Sequence, residues 1–279
     1  MVKELNGSIG VFDSGYGGLT ILSEIKALMP EYDYLYLGDN ARAPYGNRSF
    51  ELVYEFTLQA VKWFFSKGCP LVILACNTAS AKALRTIQQN DLPSIAPDRR
   101  VLGVIRPIAE CTSEFTRTNH VGVLGTEGTI QSESYNIEIT KLYPNIVVNG
   151  EACPMWVPLV ENREFDKPGA DYFVRQHIEN ILHQDPEIDT LLLGCTHYPL
   201  LMDKIKKFTP EGVSVIPQGK YVAKSLQDYL NRHPEMEKRC SKTGERKYFT
   251  TDSSLKFEQL ASLFLNESIS AEKVIIDTI

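Results

Sequence analysis

The sequence predicts an α/β fold built on open parallel sheets, and three observations predict it. Short runs rich in Val, Ile, Leu and aromatic residues recur along nearly the whole chain. Stretches of helical periodicity separate them. Most of the runs are apolar on both faces, the pattern of strands covered by helices on both sides of a parallel sheet.

Ser8–Asp13 (S-I-G-V-F-D) is the first strand, and it runs into the glycine-rich turn Gly15-Tyr16-Gly17-Gly18. A helical pattern follows over Leu19–Leu28 and stops before Pro30, which cannot continue it. Tyr32–Gly38 is aromatic and strand-like. After a turn at Pro44-Tyr45-Gly46, residues Val53, Phe56, Ala60 and Phe64 mark one buried face of a long helix. Leu71–Cys76 is a fully apolar strand, with a helix over Thr78–Gln89. Val101–Ile105, Val121–Leu124, Ile146–Val148, Thr190–Gly194 and Val213–Ile216 are further strands. The Pro/Asp/Arg-rich stretch Leu92–Arg100 reads as a linker, and Pro210-Glu211-Gly212 as a second break. The economical division puts residues 1–99 in a first lobe completed by residues 212–279, with residues 100–211 as the second lobe.

A length of 279 residues suits two domains or one large α/β unit and buries a core without metal or disulfide staples. With 43% hydrophobic and 23% charged residues, a wholly disordered chain is excluded. The charge balance, 29 − 35 = −6, comes with no basic run, which argues against nucleic-acid or anionic-membrane partners. No apolar stretch approaches the roughly 20 residues that span a bilayer, and Met1–Asn6 lacks signal-peptide character. A cytoplasmic protein is expected. The cysteines Cys69, Cys76, Cys111, Cys153, Cys195 and Cys240 are scattered without a C-x-x-C pair, so neither a disulfide framework nor a zinc site is expected. His120, His177, His183 and His233 form no ligand-spaced pair, and no metal is expected.

One internal echo stands out. Val72–Thr78 (V-I-L-A-C-N-T) and Leu191–His197 (L-L-L-G-C-T-H) are the same device twice: a buried strand, a Cys, two polar residues, then a helix. Ligands of open parallel sheets bind beyond the carboxyl ends of strands. A thiol at a helix N-terminus has its thiolate favoured and its pKa lowered. Either cysteine alone is more often packing than chemistry, but two on facing lobes would flank a cleft. Opposed acid/base groups can remove a proton from one face of a carbon and deliver one to the other, the geometry of a two-base racemase or epimerase.

The other polar groups at strand ends fit a small anionic ligand. Asp13-Ser14-Gly15 offers a carboxylate and a hydroxyl, or merely an Asx turn. Pro44-Tyr45-Gly46 offers backbone N–H groups, or merely a tight turn. Gly125–Thr129 is an anion nest or a helix cap. The G-Y-G-G turn is a poor dinucleotide fingerprint. Glu161 reads by default as a solvated helix charge. His197, two residues from Cys195, is placed to tune or orient that thiol.

These segments also resemble a known family. Asp13–Thr20, Gly38-Asp39 through Pro44-Tyr45-Gly46, Ala75–Ser80 and Gly194–Leu200 are similar to motifs of the glutamate racemases, within the aspartate/glutamate racemase family. Gly125-Thr126, Gly128-Thr129 and Cys153-Pro154 through Glu161 resemble further motifs, in the expected order over essentially the whole chain. The resemblance implies two pseudo-symmetric α/β lobes facing a central cleft. It implies a cofactor-independent interconversion of L- and D-glutamate that supplies D-glutamate for bacterial peptidoglycan, by a protein that is often dimeric. Cys76 would take the α-proton from D-glutamate and Cys195 from L-glutamate, with Asp13, Glu161 and His197 in support. Substrate contacts carry over to Asp13, Ser14, Tyr45, Gly46, Asn77, Thr78, Thr126, Thr196 and His197. The chain departs from the family pattern at Pro217-Gln218-Gly219-Lys220 and in the charged Asp91–Arg100 connection. Rival readings are an aspartate racemase, a non-catalytic anion-binding α/β protein, and a cysteine hydrolase with His197 as base to Cys195. The last leaves Cys76 without a role.

Overall fold

The computed structural model describes residues 6–276, so most of the Met1–Asn6 opening and the last three residues of the expected first lobe lie outside the described residues. The chain begins β1 (Ile9–Asp13), α1 (Gly18–Leu28), β2 (Tyr34–Gly38), α2 (Phe50–Ser66), β3 (Leu71–Leu74), α3 (Asn77–Lys82) and α4 (Leu84–Thr86). A π-helical turn at Ile87–Asp91 leads to α5 (Leu92–Ile95), β4 (Arg100–Gly103), α6 (Ile105–Phe115), β5 (His120–Gly125), α7 (Glu127–Gln131) and α8 (Ser134–Leu142). Next come β6 (Val147–Ala152), α9 (Trp156–Glu161), α10 (Pro168–Gln184), β7 (Thr190–Gly194), a 3₁₀ turn at Tyr198–Leu201 and α11 (Met202–Phe208). The chain ends with β8 (Ser214–Ile216), α12 (Gly219–Arg232), α13 (Pro234–Glu237), β9 (Arg246–Thr250), α14 (Ser254–Leu265) and β10 (Ala271–Lys273).

Two parallel sheets result, as expected. The first has the order β10-β9-β2-β1-β3-β4 and the second β6-β5-β7-β8. Within them, β2-β1-β3-β4 and β6-β5-β7-β8 are the same arrangement, so β3 and β7, the strands that precede the two cysteines, hold equivalent places. Strand residues alternate between two cores. Ile9 and Val11 of β1 face the cluster that contains Leu19, Leu22 and Phe257, while Phe12 faces the cluster that contains Val53 and Phe64. In the second sheet Leu191 and Leu193 join that first cluster and Leu192 joins a third. One apolar core therefore runs through both sheets, which ties them together on one side.

Both expected lobe boundaries differ from sheet membership. β4 pairs with β3 in the first sheet, Leu71 opposite Arg100, although the boundary was expected at residue 99. β8 pairs with β7 in the second, Thr190 opposite Ser214, beyond the boundary expected at residue 211. The cause is that Leu92–Arg100 is not a free linker. Its first half is helical and buries Leu92 and Ala96 in the core, so it delivers the next strand to the same sheet. β9 and β10 have no counterpart among the expected strands. β9 pairs in parallel with β2, and it carries the C-terminal segment back to the first sheet.

Candidate active site

The carboxyl ends of β1, β3, β5 and β7 converge where the two sheets meet. Cys76 caps the N-terminus of α3, and its Sγ accepts from the Ala79 N–H at 3.4 Å. The helix-start geometry is as expected, but the acidity is not. Burial pushes the Cys76 thiol up to about 12, and the nearby Asp13 and Cys195 charges add to this against hydrogen bonds from Ser14 and Ala79. A helix of six residues offers less than removal from water takes away, so at rest Cys76 is a neutral thiol. Its Sγ lies 3.5 Å from the Ser14 hydroxyl.

Cys195 stands on the equivalent turn with a different neighbour. Its Sγ is 3.9 Å from Nδ1 of His197, whose Nε2 is 3.0 Å from Glu161 Oε1. Burial lowers the imidazole's pKa, but the hydrogen bonds and negative charges of Cys195 and Glu161 outweigh it and hold His197 at about 10. The ring is therefore an imidazolium at neutral pH. Glu161, at the end of α9, is thus more than a solvated helix charge: it joins the second lobe's thiol through the histidine.

Asp13 is both an Asx turn and part of the site. Its Oδ2 accepts from the Gly15 N–H at 2.8 Å, while Oδ1 is buried without a hydrogen-bond partner. Burial raises its pKa, against the lowering effect of the His197 charge. The glycine turn allows close approach rather than phosphate binding. A Cβ on Gly17 would lie 2.3 Å from Thr196 Oγ1 and 2.4 Å from His197 Nδ1, so only glycine lets α1 abut the second turn.

Threonines and glycines close the remaining side. Thr126 is an N-cap, accepting from the Thr129 N–H at 3.2 Å, and its hydroxyl also meets that of Thr78 across the lobes at 3.0 Å. The Gly128 N–H donates to the Gly46 carbonyl at 2.7 Å, and Gly46 packs on the Thr126 side chain. The Tyr45 hydroxyl donates to Asp39, which also accepts from Arg42 Nε at 2.6 Å and from the Thr251 hydroxyl at 2.9 Å. Asn77 accepts from the Tyr135 hydroxyl at 2.8 Å.

The structure therefore gathers Asp13, Ser14, Tyr45, Gly46, Asn77, Thr78, Thr126, Glu161, Cys76, Cys195, Thr196 and His197 around the junction between the lobes. Sequence reasoning missed the supporting roles of Asp39, Tyr135, Gly128 and Lys82, whose Nζ donates to the Arg48 carbonyl at 2.6 Å. Asp39 ends a strand in the same manner as Asp13, a signal that was available; Tyr135 and Lys82 carried none. Among the described residues no group of three or more His, Cys, Asp or Glu could hold a metal ion. A cavity of about 810 Å³ borders Leu84, Arg106, Glu138 and Tyr229 and is lined by none of the candidate residues.

Comparison with known proteins gives a consistent result. Residues 19–226 match the family model described as Asp/Glu/Hydantoin racemase. The glutamate racemase of Persephonella marina is 40% identical over 268 residues, 96% of each chain. A glutamate racemase isoform from Bacillus anthracis superposes with a TM-score of 0.87 at 37% identity, over 97% of this chain and 98% of that one. The Francisella tularensis glutamate racemase, solved with D-glutamate, gives 0.86 at 32% identity over 98% of both.

Proposed function

The chain belongs to the Asp/Glu/Hydantoin racemase family and is an isomerase that racemises glutamate; we propose that it does so with Cys76 and Cys195 as opposed bases at Cα. The observation that carries this reading is that the two thiols follow β3 and β7, which hold equivalent places in the four-strand arrangement β2-β1-β3-β4 and β6-β5-β7-β8 that the two sheets share. With Cys195 as thiolate and Cys76 as thiol, Cys195 takes the α-proton of L-glutamate as the C–H bond breaks. The electron pair delocalises into the carboxylate, and Cys76 delivers its proton to the opposite face to give D-glutamate. The reverse reaction exchanges the two roles. The His197 imidazolium, oriented by Glu161, stands beside the Cys195 sulfur, where it compensates negative charge as the proton is exchanged, and Asp13 with its unpartnered Oδ1 is the polar partner on the Cys76 side. Ser14, Tyr45, Gly46, Asn77, Thr78, Thr126 and Thr196 supply donors to the two carboxylates.

Racemisation in D₂O tests this. Early in the reaction the product enantiomer carries deuterium at Cα while the remaining substrate does not, because the incoming proton comes from a solvent-exchanged thiol on the other face. Cys76→Ala and Cys195→Ala each abolish racemisation while the far-UV circular dichroism stays that of a folded protein. Full activity in either variant defeats the two-base reading.

The same proposal extends to biology and organisation. Its D-glutamate supplies peptidoglycan, so cells without the protein require added D-glutamate. The chain acts in the cytoplasm as a homodimer, which sedimentation equilibrium tests; among the described residues no helix is long and apolar enough to cross a membrane. The first lobe comprises the segment through β4 together with the chain from α12 onward, and the second runs from α6 to β8.

A further inference from the structure

Asn77 follows Cys76 directly, and the two ends of its amide are in unlike situations. Oδ1 accepts from the Tyr135 hydroxyl at 2.8 Å, whereas Nδ2 is buried with no hydrogen-bond partner. Tyr135 belongs to the other lobe, in the first turn of α8, and is 4% exposed. Its ring also packs on Gly194, where a Cβ would lie 3.3 Å from Tyr135 Cε2. One side chain therefore touches the residue after the first thiol and the residue before the second.

An asparagine amide can turn over, exchanging nitrogen and oxygen at almost no steric cost, so something must choose its orientation. A phenol has one proton to give, and among the described residues Asn77 Oδ1 is the hydrogen-bond partner recorded for this one. If the amide turned over, Nδ2 would donate to the phenol and the phenol's own proton would be left buried without an acceptor. Burial, with the Cys195 charge adding to it, raises the Tyr135 pKa, so the hydroxyl remains a donor. A reversed amide would also present an acceptor oxygen to an anionic substrate.

We propose that Tyr135 is a positioning residue for the reaction: it sets the Asn77 amide so that Nδ2 faces the cleft as a donor to a substrate carboxylate. The proposal rests on the reading of Asn77 as a substrate contact. Because the bond crosses between the lobes, the orientation of the donor depends on their contact.

The test is a double-mutant cycle of Tyr135→Phe and Asn77→Ala, with kcat and KM measured for L- and D-glutamate and folding checked by thermal unfolding. Tyr135→Phe is expected to raise KM by about tenfold, with a much smaller change in kcat, since binding must then bury Oδ1 without a partner. Asn77→Ala raises KM at least as far, and adding Tyr135→Phe to it raises KM no further. The proposal is overturned if Tyr135→Phe leaves KM unaltered, or if its effect adds in full on the Asn77→Ala background, as a purely structural role requires. An unaltered KM in Asn77→Ala itself removes Asn77 from the binding site and overturns the underlying reading first.

Discussion

Replacing Gly128 by Ala sets two effects of opposite sign against each other. Gly128 lies in the first turn of α7 and outside the left-handed region, so alanine fits the backbone and favours the helix by about 0.5–1 kcal/mol. Across the lobe junction the balance reverses. A Cβ there would stand 2.7 Å from Lys82 Nζ and 2.8 Å from the Gly46 carbonyl oxygen. The lysine has a flexible stem, although it is held by the Arg48 carbonyl at 2.6 Å. The Gly46 oxygen is backbone and accepts from the Gly128 N–H itself. A carbon–oxygen contact normally settles at roughly 3.3 Å or more, so the lobes must separate here by about 0.5 Å. Overpacking of this kind costs about 1–3 kcal/mol, and the weakened inter-lobe hydrogen bond adds about 1 kcal/mol. The clash therefore exceeds the gain in helix propensity. The clash falls at the lobe junction rather than in the apolar core that the two sheets share, so it distorts the site while that core is kept. The expected result is a roughly 10- to 100-fold loss of kcat/KM for both enantiomers, with the thermal unfolding midpoint nearly unchanged. Racemisation followed by circular-dichroism polarimetry, beside a melting curve, makes the measurement. A kcat/KM within twofold of the parent protein refutes the argument, and so does an activity loss that merely tracks unfolding.

Two further outcomes follow from the charges around the site. His197 is held above its ordinary value, so the stability it contributes is complete below about pH 6.5 and is lost as pH rises through about 10. Activity that needs the imidazolium should fall over the same alkaline range. Glu161→Gln removes one of the charges that raise this pKa and should move the alkaline limb of kcat/KM down by roughly one unit; an unmoved limb excludes the Glu161–His197 pair as its origin. Asp39→Asn takes away the charge that Tyr45, Arg42 and Thr251 all address. Discounted for the partial exposure of Arg42, it should lower unfolding stability in urea by about 2–3 kcal/mol and raise KM. Parental KM in the Asp39→Asn variant would show that this network does not hold the Tyr45-Gly46 loop.

What could be read from the sequence was whatever chain order encodes locally. The two strand–Cys–polar–helix segments were legible because a parallel sheet puts every strand end on one side, so a local pattern already implies a shared location. A supporting role for Glu161 came only through the family resemblance, since its local sequence reads as a solvated helix charge and the role depends on a contact with His197, 36 residues away, made when α9 packs beside the second turn. Tyr135 was illegible for the same reason, its partner lying 58 residues earlier in the other lobe. Cys76 shows a subtler limit. Its position at a helix N-terminus was foreseen, and helix polarity does favour the thiolate. The depth of burial, a property of the whole assembly, decided the sign. The Leu92–Arg100 stretch misled because Pro93, Pro97, Asp98 and Arg100 lie on exposed positions, while Leu92 and Ala96 do the packing and Arg99 donates to the Phe65 carbonyl.

The backbone around the thiols is nearly symmetric, but their partners are not, and this has a thermodynamic consequence. Cys76 faces a hydroxyl and a carboxyl and rests protonated; Cys195 faces an imidazolium. On the two-base reading proposed above, the two directions therefore start from unlike surroundings, with the imidazolium beside one thiol and a hydroxyl and a carboxyl beside the other. L- and D-glutamate nevertheless have equal free energies in achiral water, so at equilibrium kcat/KM must be the same in both directions whatever the protein does. The asymmetry can appear only in kcat and KM separately, moving both by the same factor. Every substitution argued above, whether on the Cys76 side or the Cys195 side, must therefore change kcat/KM equally for the two enantiomers. A variant that slowed one direction alone in this ratio would mean that a second reaction, not racemisation, was being measured.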